Sequence, residues 1–259
     1  MTQRPKNFSS SPELFQKPDP EEDPNAPLAV RMRPRNLDEI AGQEHLLGQG
    51  KLLRRTIQSD RWVSMVFYGP PGCGKTTLAF VISKVTQARF VPLNAVSSNA
   101  AEIRQVMAEA QKYRSGGKRT ILFLDEIHRF NKAQQDILMP DVEAGNVILI
   151  GATTHNPSFA INGPLLSRSS VFELRPLTEE NLKNILKTAL ASHDRGLGKL
   201  RVEINDQALT HLVKMANGDA RRALNALEIG VLSTPPDRTD VISFDEKVAE
   251  ESCQKRIVY

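Results

Sequence analysis

Between residues 63 and 174, short apolar runs alternate with stretches whose apolar residues recur at helical spacing. The runs fall at 63–68, 90–93, 120–124, 147–153 and 171–174, and the helical stretches at 75–86, 100–113 and 132–143. Short runs bounded by turn residues and separated by helices predict a parallel sheet covered on both faces, a doubly wound α/β domain. Beyond residue 174 the period changes. Thr178 is a suitable N-cap with Glu179 and Glu180 in the first turn, and helices are expected near 178–191, 205–216 and 219–232 with no strand between them. The stretch 235–259 reads as a loop and one short helix.

Upstream of the sheet, an extended X-Pro entry from Leu28 leads into helical spacing at Leu46, Leu47, Leu52, Leu53 and Ile57. Seven of the sixteen prolines lie in the first 34 residues, among Ser, Asp and Glu, so the first 27 residues cannot support a packed core. The expected organisation is a flexible tail over 1–27, a sheet domain over 28–175 and a small helical domain over 176–259.

Composition adds exclusions. A chain of 259 residues with 40% hydrophobic and 25% charged residues is ordinary for a globular protein. No run of about 18 uncharged apolar residues is present, and the first residues lack the apolar stretch of a secretory signal. Cys73 and Cys253 stand too far apart for a disulfide framework or a four-ligand zinc site, so a reducing intracellular compartment is expected. Thirty-four Lys and Arg against thirty Asp and Glu leave a formal +4, compatible with a polyanionic partner. Aromatic residues are 5%, with Trp62 alone, which argues against an extended base-stacking platform. The five histidines include no pair four residues apart, so a histidine metal cage has little support.

The chemistry concentrates at strand ends. Gly69, Pro70, Pro71, Gly72, Cys73, Gly74, Lys75 and Thr76 match G-x-x-x-x-G-K-[ST], directly after one strand and before a helix, the context in which that motif holds a polyphosphate. Glycines let backbone N–H groups face the phosphates, the helix N-terminus adds its dipole, Lys75 bridges the outer phosphates and the Thr76 hydroxyl can ligate magnesium. Cys73 reads as a small spacer rather than a reactive thiol. The strand ILFL ends in Asp125 and Glu126, roughly 50 residues downstream, where open α/β sheets bind ligands. Asp125 can hold magnesium through water, and Glu126 can polarise the attacking water.

Thr153 and Thr154 end the next strand and can orient the same water or simply cap the strand. Arg168 is a candidate finger on a transferring phosphoryl group or, equally, a surface arginine. Arg221 and Arg222 follow Gly218 and Asp219 at a helix start, where cations oppose the dipole. One of them therefore needs an anionic partner, a phosphate between the domains or a carboxylate such as Glu228.

These residues resemble an AAA+ ATPase of the clamp-loader clade. RMRPRNLDEIAGQEHLLG, GPPGCGKTT, ILFLDEIHRFNKAQQD, LIGATTHNPSF, LLSRSSVFEL and GDARRALNALE are together similar to the replication-associated recombination protein A family, over about residues 28–232. The resemblance implies ATP and Mg2+ as cofactors. The loop from Gly69 to Thr77 would bind nucleotide through Lys75 and Thr76, and Thr76 and Asp125 would hold the metal. Glu126 would be the general base and Thr154, with Thr153 as the alternative, would sense the γ-phosphate. Arg168 would act on ATP held by an adjacent subunit, and Arg221 would reach the γ-phosphate from the helical lid. Ile40, Ala41, Gly42 and Gln43 would approach adenine, and Asn94 would hold Glu126 inactive.

The same resemblance implies a DNA-dependent ATPase at stalled or gapped replication forks, with DNA junctions, single-strand-binding protein and further copies of the chain as partners and no membrane. The setting would be cytoplasmic in a bacterium or nuclear in a eukaryote. The family continues into a further helical domain carrying much of the oligomer contact, so this chain is expected to be the ATPase and lid of a longer protein. A nucleotide-binding scaffold subunit and a Holliday-junction branch-migration motor are the alternatives.

Overall fold

The computed structural model describes residue 23 and residues 25–253, so the tail expected over 1–27 lies almost wholly outside the described residues. Five strands form one parallel sheet: β1 (Met65–Tyr68), β2 (Arg89–Asn94), β3 (Thr120–Asp125), β4 (Val147–Thr153) and β5 (Ser170–Glu173), in the order β2-β3-β4-β1-β5. Every pairing is parallel, with Leu124 opposite Gly151 and Tyr68 opposite Thr153. The sheet is buried on both faces because its central strands are apolar between their ends. Leu122 and Leu124 of β3 face one core with Val66, Ile103 and Leu138, while Ile121 and Phe123 face the other with Phe67, Leu78 and Ile82.

Four short or medium helices surround this frame before the third strand: α1 (Leu28–Arg31), α2 (Glu44–Leu47), α3 (Leu52–Gln58) and α4 (Lys75–Val85), with α5 (Ala100–Ser115) crossing from β2 to β3. The expected apolar spacing from Leu46 to Ile57 is split between α2 and α3 by Gly48 and Gly50. α6 (Lys132–Glu143) starts at a capping box between Asn131 and Gln134, and α7 (Pro157–Ala160) and α8 (Gly163–Ser167) link β4 to β5.

A second layer follows, built on α9 (Glu179–Ala191), α10 (Asp206–Ala216) and α11 (Ala220–Ser233). It is helical, as the sequence predicts, with one correction. β6 (Arg201–Ile204) lies between α9 and α10 and pairs in parallel with β7 (Val241–Phe244), just before α12 (Glu246–Ser252). Phe244 and Ile242 are buried against α11, where a side chain at Gly230 would strike the Phe244 ring.

The amino-terminal segment joins both layers. Leu28 is fully buried in the core of the second layer, and its backbone N–H donates to both carboxylate oxygens of Glu228 at 2.9 Å. Leu37 and Ile40, a few residues on, pack against the sheet core. Among the described residues no helix is long and apolar enough to cross a membrane.

Candidate functional site

Parallel strands present all their C-terminal ends on one edge, and the loop after β1, the acids after β3 and the threonines after β4 meet there. Gly72 and Gly74 of the loop take positive φ of 68° and 105°, a left-handed backbone that favours glycine and turns successive amides toward a common centre. Lys75, at the first position of α4, is 7% exposed; its Nζ donates to Gly69 O at 2.7 Å and Pro70 O at 2.8 Å. Burial pushes its pKa below the ordinary lysine value, opposed by nearby Cys73, Glu126 and Asp125. Burial likewise pushes the Cys73 thiol up, which keeps it protonated and suits a spacer.

Thr76 Oγ1 donates to Asp125 Oδ2 at 2.9 Å, so a hydroxyl and a carboxylate from elements 49 residues apart share one position. That is the hard-oxygen donor set magnesium takes when it keeps most of its waters, and a polyphosphate fits the glycine cradle beside it.

Glu126 adopts the left-handed conformation, φ 54°, that ends β3. Its carboxylate meets His128 Nδ1 at 3.2 Å. The structure does not join Asn94 to Glu126. Asn94 Oδ1 instead accepts from Val96 N at 2.8 Å, closing its own turn. His128, to which no motif points, is the partner observed; the turn at Glu126 brings residues 126 and 128 together.

At the end of β4, Thr153 is fully buried, and its hydroxyl is engaged by His128 Nδ1 at 3.1 Å and by the backbone of His155. Thr154, the next residue, is partly exposed at the same edge.

The second layer closes over the loop. Asp219 caps α11 by accepting from Arg222 N at 3.0 Å, and Ala220 N donates to Gly72 O at 3.4 Å. Arg221, in that first turn, is exposed and near enough for its charge to depress the Lys75 pKa. Glu228 pairs with Arg31 at 3.1 Å, so it is not the carboxylate partner considered for Arg221 or Arg222.

Gln43 is 1% exposed and fastens the loop to the junction of the layers, donating through Nε2 to Cys73 O at 3.3 Å and Arg175 O at 2.8 Å and accepting from Arg175 N at 3.1 Å. Gly42, φ 72°, packs against Asn181 and Leu177 of the second layer, and Ala41 precedes it in the same turn. Sequence motifs did not expose this clamp, because its backbone partners lie 30 and 132 residues away.

Arg168 lies elsewhere. It pairs with Glu143 at 2.7 Å, half exposed, in a depression that also involves Trp62, Ser64 and Val147, at the N-terminal ends of β1 and β4. This is the sheet edge opposite the chain's own phosphate loop.

Residues 65–177 match the model for the ATPase family associated with various cellular activities (AAA), and residues 198–259 match that for the AAA C-terminal domain. The replication-associated recombination protein A of Haemophilus influenzae is 48% identical over 205 residues, covering 79% of this chain and 46% of that protein. That of Bacillus subtilis is 46% identical over 230 residues, covering 89% of this chain and 54% of that protein. The ATPase WRNIP1 of Dictyostelium discoideum is 41% identical over 233 residues, 90% of this chain and 26% of its own length. The chain thus spans about half the length of the bacterial relatives it matches. Among solved structures, the Thermotoga maritima RuvB Holliday junction branch migration motor superposes with a TM-score of 0.66 and 26% identity, over 85% of this chain and 72% of that one.

Proposed function

We propose that this chain, which belongs to the AAA ATPase family and within it to the replication-associated recombination protein A group, hydrolyses magnesium ATP in an oligomer acting on DNA at stalled or gapped replication forks. The observation that carries the reading is the convergence of Lys75, Thr76, Asp125 and Glu126 at one sheet edge, with Thr76 and Asp125 already 2.9 Å apart.

The loop from Gly69 to Thr77 would bind the phosphates through its backbone amides, with Lys75 exchanging the Gly69 and Pro70 carbonyls for the outer phosphate oxygens. Thr76 and Asp125 would hold the magnesium, which neutralises phosphate charge when bound. Glu126 would orient and deprotonate the attacking water, Thr154 would contact the γ-phosphate from β4, and Arg221 would contact it from the second layer. Ala41, Gly42 and Gln43 would border the base between the loop and the junction at Arg175. Arg168, on the opposite sheet edge, would act on the nucleotide of a neighbouring copy.

DNA junctions and single-strand-binding protein are the proposed partners, in the cytoplasm or, in a eukaryote, the nucleus. The branch-migration alternative shares the fold of RuvB, but the chain is far more similar in sequence to the recombination protein A group, 48% against 26%.

Steady-state ATP hydrolysis against protein concentration, with and without gapped or forked DNA, tests the reading. A rate per subunit that rises with concentration and again with DNA is expected, and Glu126→Gln should abolish turnover while retaining ATP binding. Wild-type protein that binds ATP tightly and shows no turnover on any DNA, in the full-length protein as well, would establish the scaffold reading instead.

A further inference from the structure

We infer that His128 is a positioning residue for Glu126: its imidazole Nδ1–H ties the Glu126 carboxylate to Thr153, and so couples the hydrolytic base to the strand that ends in Thr154. This rests on the ATPase reading above and adds to it a residue outside the phosphate-binding motifs.

The neighbouring groups bear on where the imidazole proton sits. Thr153 Oγ1 accepts from His155 N at 3.0 Å and lies 3.3 Å from His155 O, to which its single hydroxyl proton is donated. One lone pair remains on that oxygen, and it faces His128 Nδ1 at 3.1 Å. The same nitrogen lies 3.2 Å from Glu126 Oε2. The Thr153 hydroxyl proton is taken by His155 O and a carboxylate can only accept, so we assign the neutral ring the Nδ1–H tautomer, its proton donated to the Thr153 hydroxyl with the Glu126 carboxylate beside the same nitrogen.

The ring has little freedom to turn away. Its side chain is 8% exposed against 34% for Glu126, and it stacks on the His155 ring at 4.0 Å between centroids, 11° from parallel. Glu126, Arg129, His155 and Lys75 are the charged or titratable groups whose fields reach it.

The arrangement has a mechanical consequence. Glu126 sits on a left-handed residue at the end of β3, and its backbone leaves the carboxylate many orientations. Thr153 is fully buried, hydrogen-bonded to the His155 backbone and adjacent to Thr154. A shift of the β4 terminus when Thr154 meets a phosphate moves Thr153, and through His128 it moves Glu126. The resemblance implies a hold on Glu126 from Asn94 at the end of β2; His128, in the turn after β3, links Glu126 to the other neighbouring strand, β4, through Thr153.

Two measurements test this on the full chain. In the first, long-range 1H–15N spectra of the five histidines, with His128 identified by its absence in His128→Asn, should show the Nδ1–H tautomer in wild type and a changed signal in Thr153→Val and Glu126→Gln. This needs no turnover and stands even where hydrolysis is undetectable; an Nε2–H tautomer overturns the inference. In the second, ATP binding and hydrolysis are compared. His128→Leu should bind ATP within about twofold of wild type while kcat falls tenfold or more, because a correctly held base contributes on the order of 10²–10⁴. His128→Asn, which keeps an N–H donor near the same position, should recover much of that loss. An unchanged or raised kcat in His128→Leu, or equal loss in both folded variants, overturns the inference. An inactive wild type with the expected tautomer counts against the ATPase reading alone.

Discussion

The Thr76 hydroxyl donates to the Asp125 carboxylate across 2.9 Å, joining the first turn of the helix after the phosphate loop to the end of the third strand. The two side chains come from elements far apart in sequence, and the fold brings the oxygen pair together. Asp125→Asn keeps the shape and removes the charge. It should leave thermal stability within about 1 kcal/mol of wild type, as substitutions that preserve packing usually do, while abolishing magnesium-dependent hydrolysis. Unfolding and ATPase assays on the same sample check both halves, and turnover near the wild-type rate would remove Asp125 from the site.

Lys75 is folded back on the Gly69 and Pro70 carbonyls, polar partners within its own loop rather than apolar side chains. Lys75→Ala should therefore abolish ATP binding without unfolding the chain. Differential scanning fluorimetry should show a melting temperature near wild type and no upward shift with magnesium ATP. A shift that persists in the variant would contradict the proposed role.

Gly72 binds the two layers. Its φ of 68° is costly for any other residue, and a Cβ there would collide with the Asp219 carboxylate that caps α11. Gly72→Ala should destabilise the protein by about 1–3 kcal/mol through backbone strain and loss of the cap, and weaken ATP binding as the second layer lifts from the loop. Asp219→Ala would lose the cap without the collision, so a larger effect of Gly72→Ala on nucleotide affinity is the expected ordering.

Much of this was legible in the sequence because the signals were local. The phosphate loop, the strand ending in Asp125 and Glu126, and the capping residues Thr178 and Asp219 each lie within a few residues of the structure they specify. The remainder depends on contacts that no window contains. Val202 and Ile204 alternate with Arg201 and Glu203, but over four residues that pattern is too short to outweigh the helices around it, and its partner strand begins forty residues later at Val241. Leu28 reads as the start of the sheet domain, yet it is buried in the second layer because Glu228 receives its amide. His128 falls between the strand that ends in Asp125 and Glu126 and the helix expected from 132, and its contact with Glu126 forms where residue 126 turns left-handed, which a sequence pattern does not predict for glutamate.

Glu109 provides a pH test away from the site. The Arg89 guanidinium hydrogen-bonded to it, helped by Gln105, holds its carboxyl below the ordinary glutamate value of 4.5. A carboxylate favoured in the folded state contributes stability that is complete above about pH 4.5 and is lost as the pH falls through the lower folded value. The pair is more than a third exposed on the glutamate side, so the contribution is a few tenths to about 1 kcal/mol. Glu109→Gln should lower stability slightly at pH 7 and flatten its decline below pH 4.5, measured by urea unfolding across that range. A variant with an acid limb as steep as wild type would show that Arg89 gains nothing from the ionised form.

Arg168 is the residue whose role depends most on assembly. Its guanidinium lies at the N-terminal ends of β1 and β4, opposite the edge where the chain's own phosphate loop sits, and it is held by Glu143 and the Pro164 carbonyl, both within 3.0 Å. No side-chain rotation carries it across the sheet, so any action on nucleotide is on a neighbour's. Arg168→Ala should leave ATP binding by the isolated chain unchanged and lower hydrolysis in the assembled oligomer by about 10³ or more, the scale associated with arginine fingers. The competing ion pair makes a second variant informative. Glu143→Gln frees the arginine from its resting partner, and if release of that pair precedes engagement, the concentration needed for half-maximal activity should fall while the maximal rate per subunit stays the same. Mixing Arg168→Ala chains with Lys75→Ala chains completes the test. A shared site built from the intact Lys75 of one chain and the intact Arg168 of its neighbour should raise the activity of the mixture above that of either pure variant, and a mixture no more active than its components would place Arg168 outside the reaction.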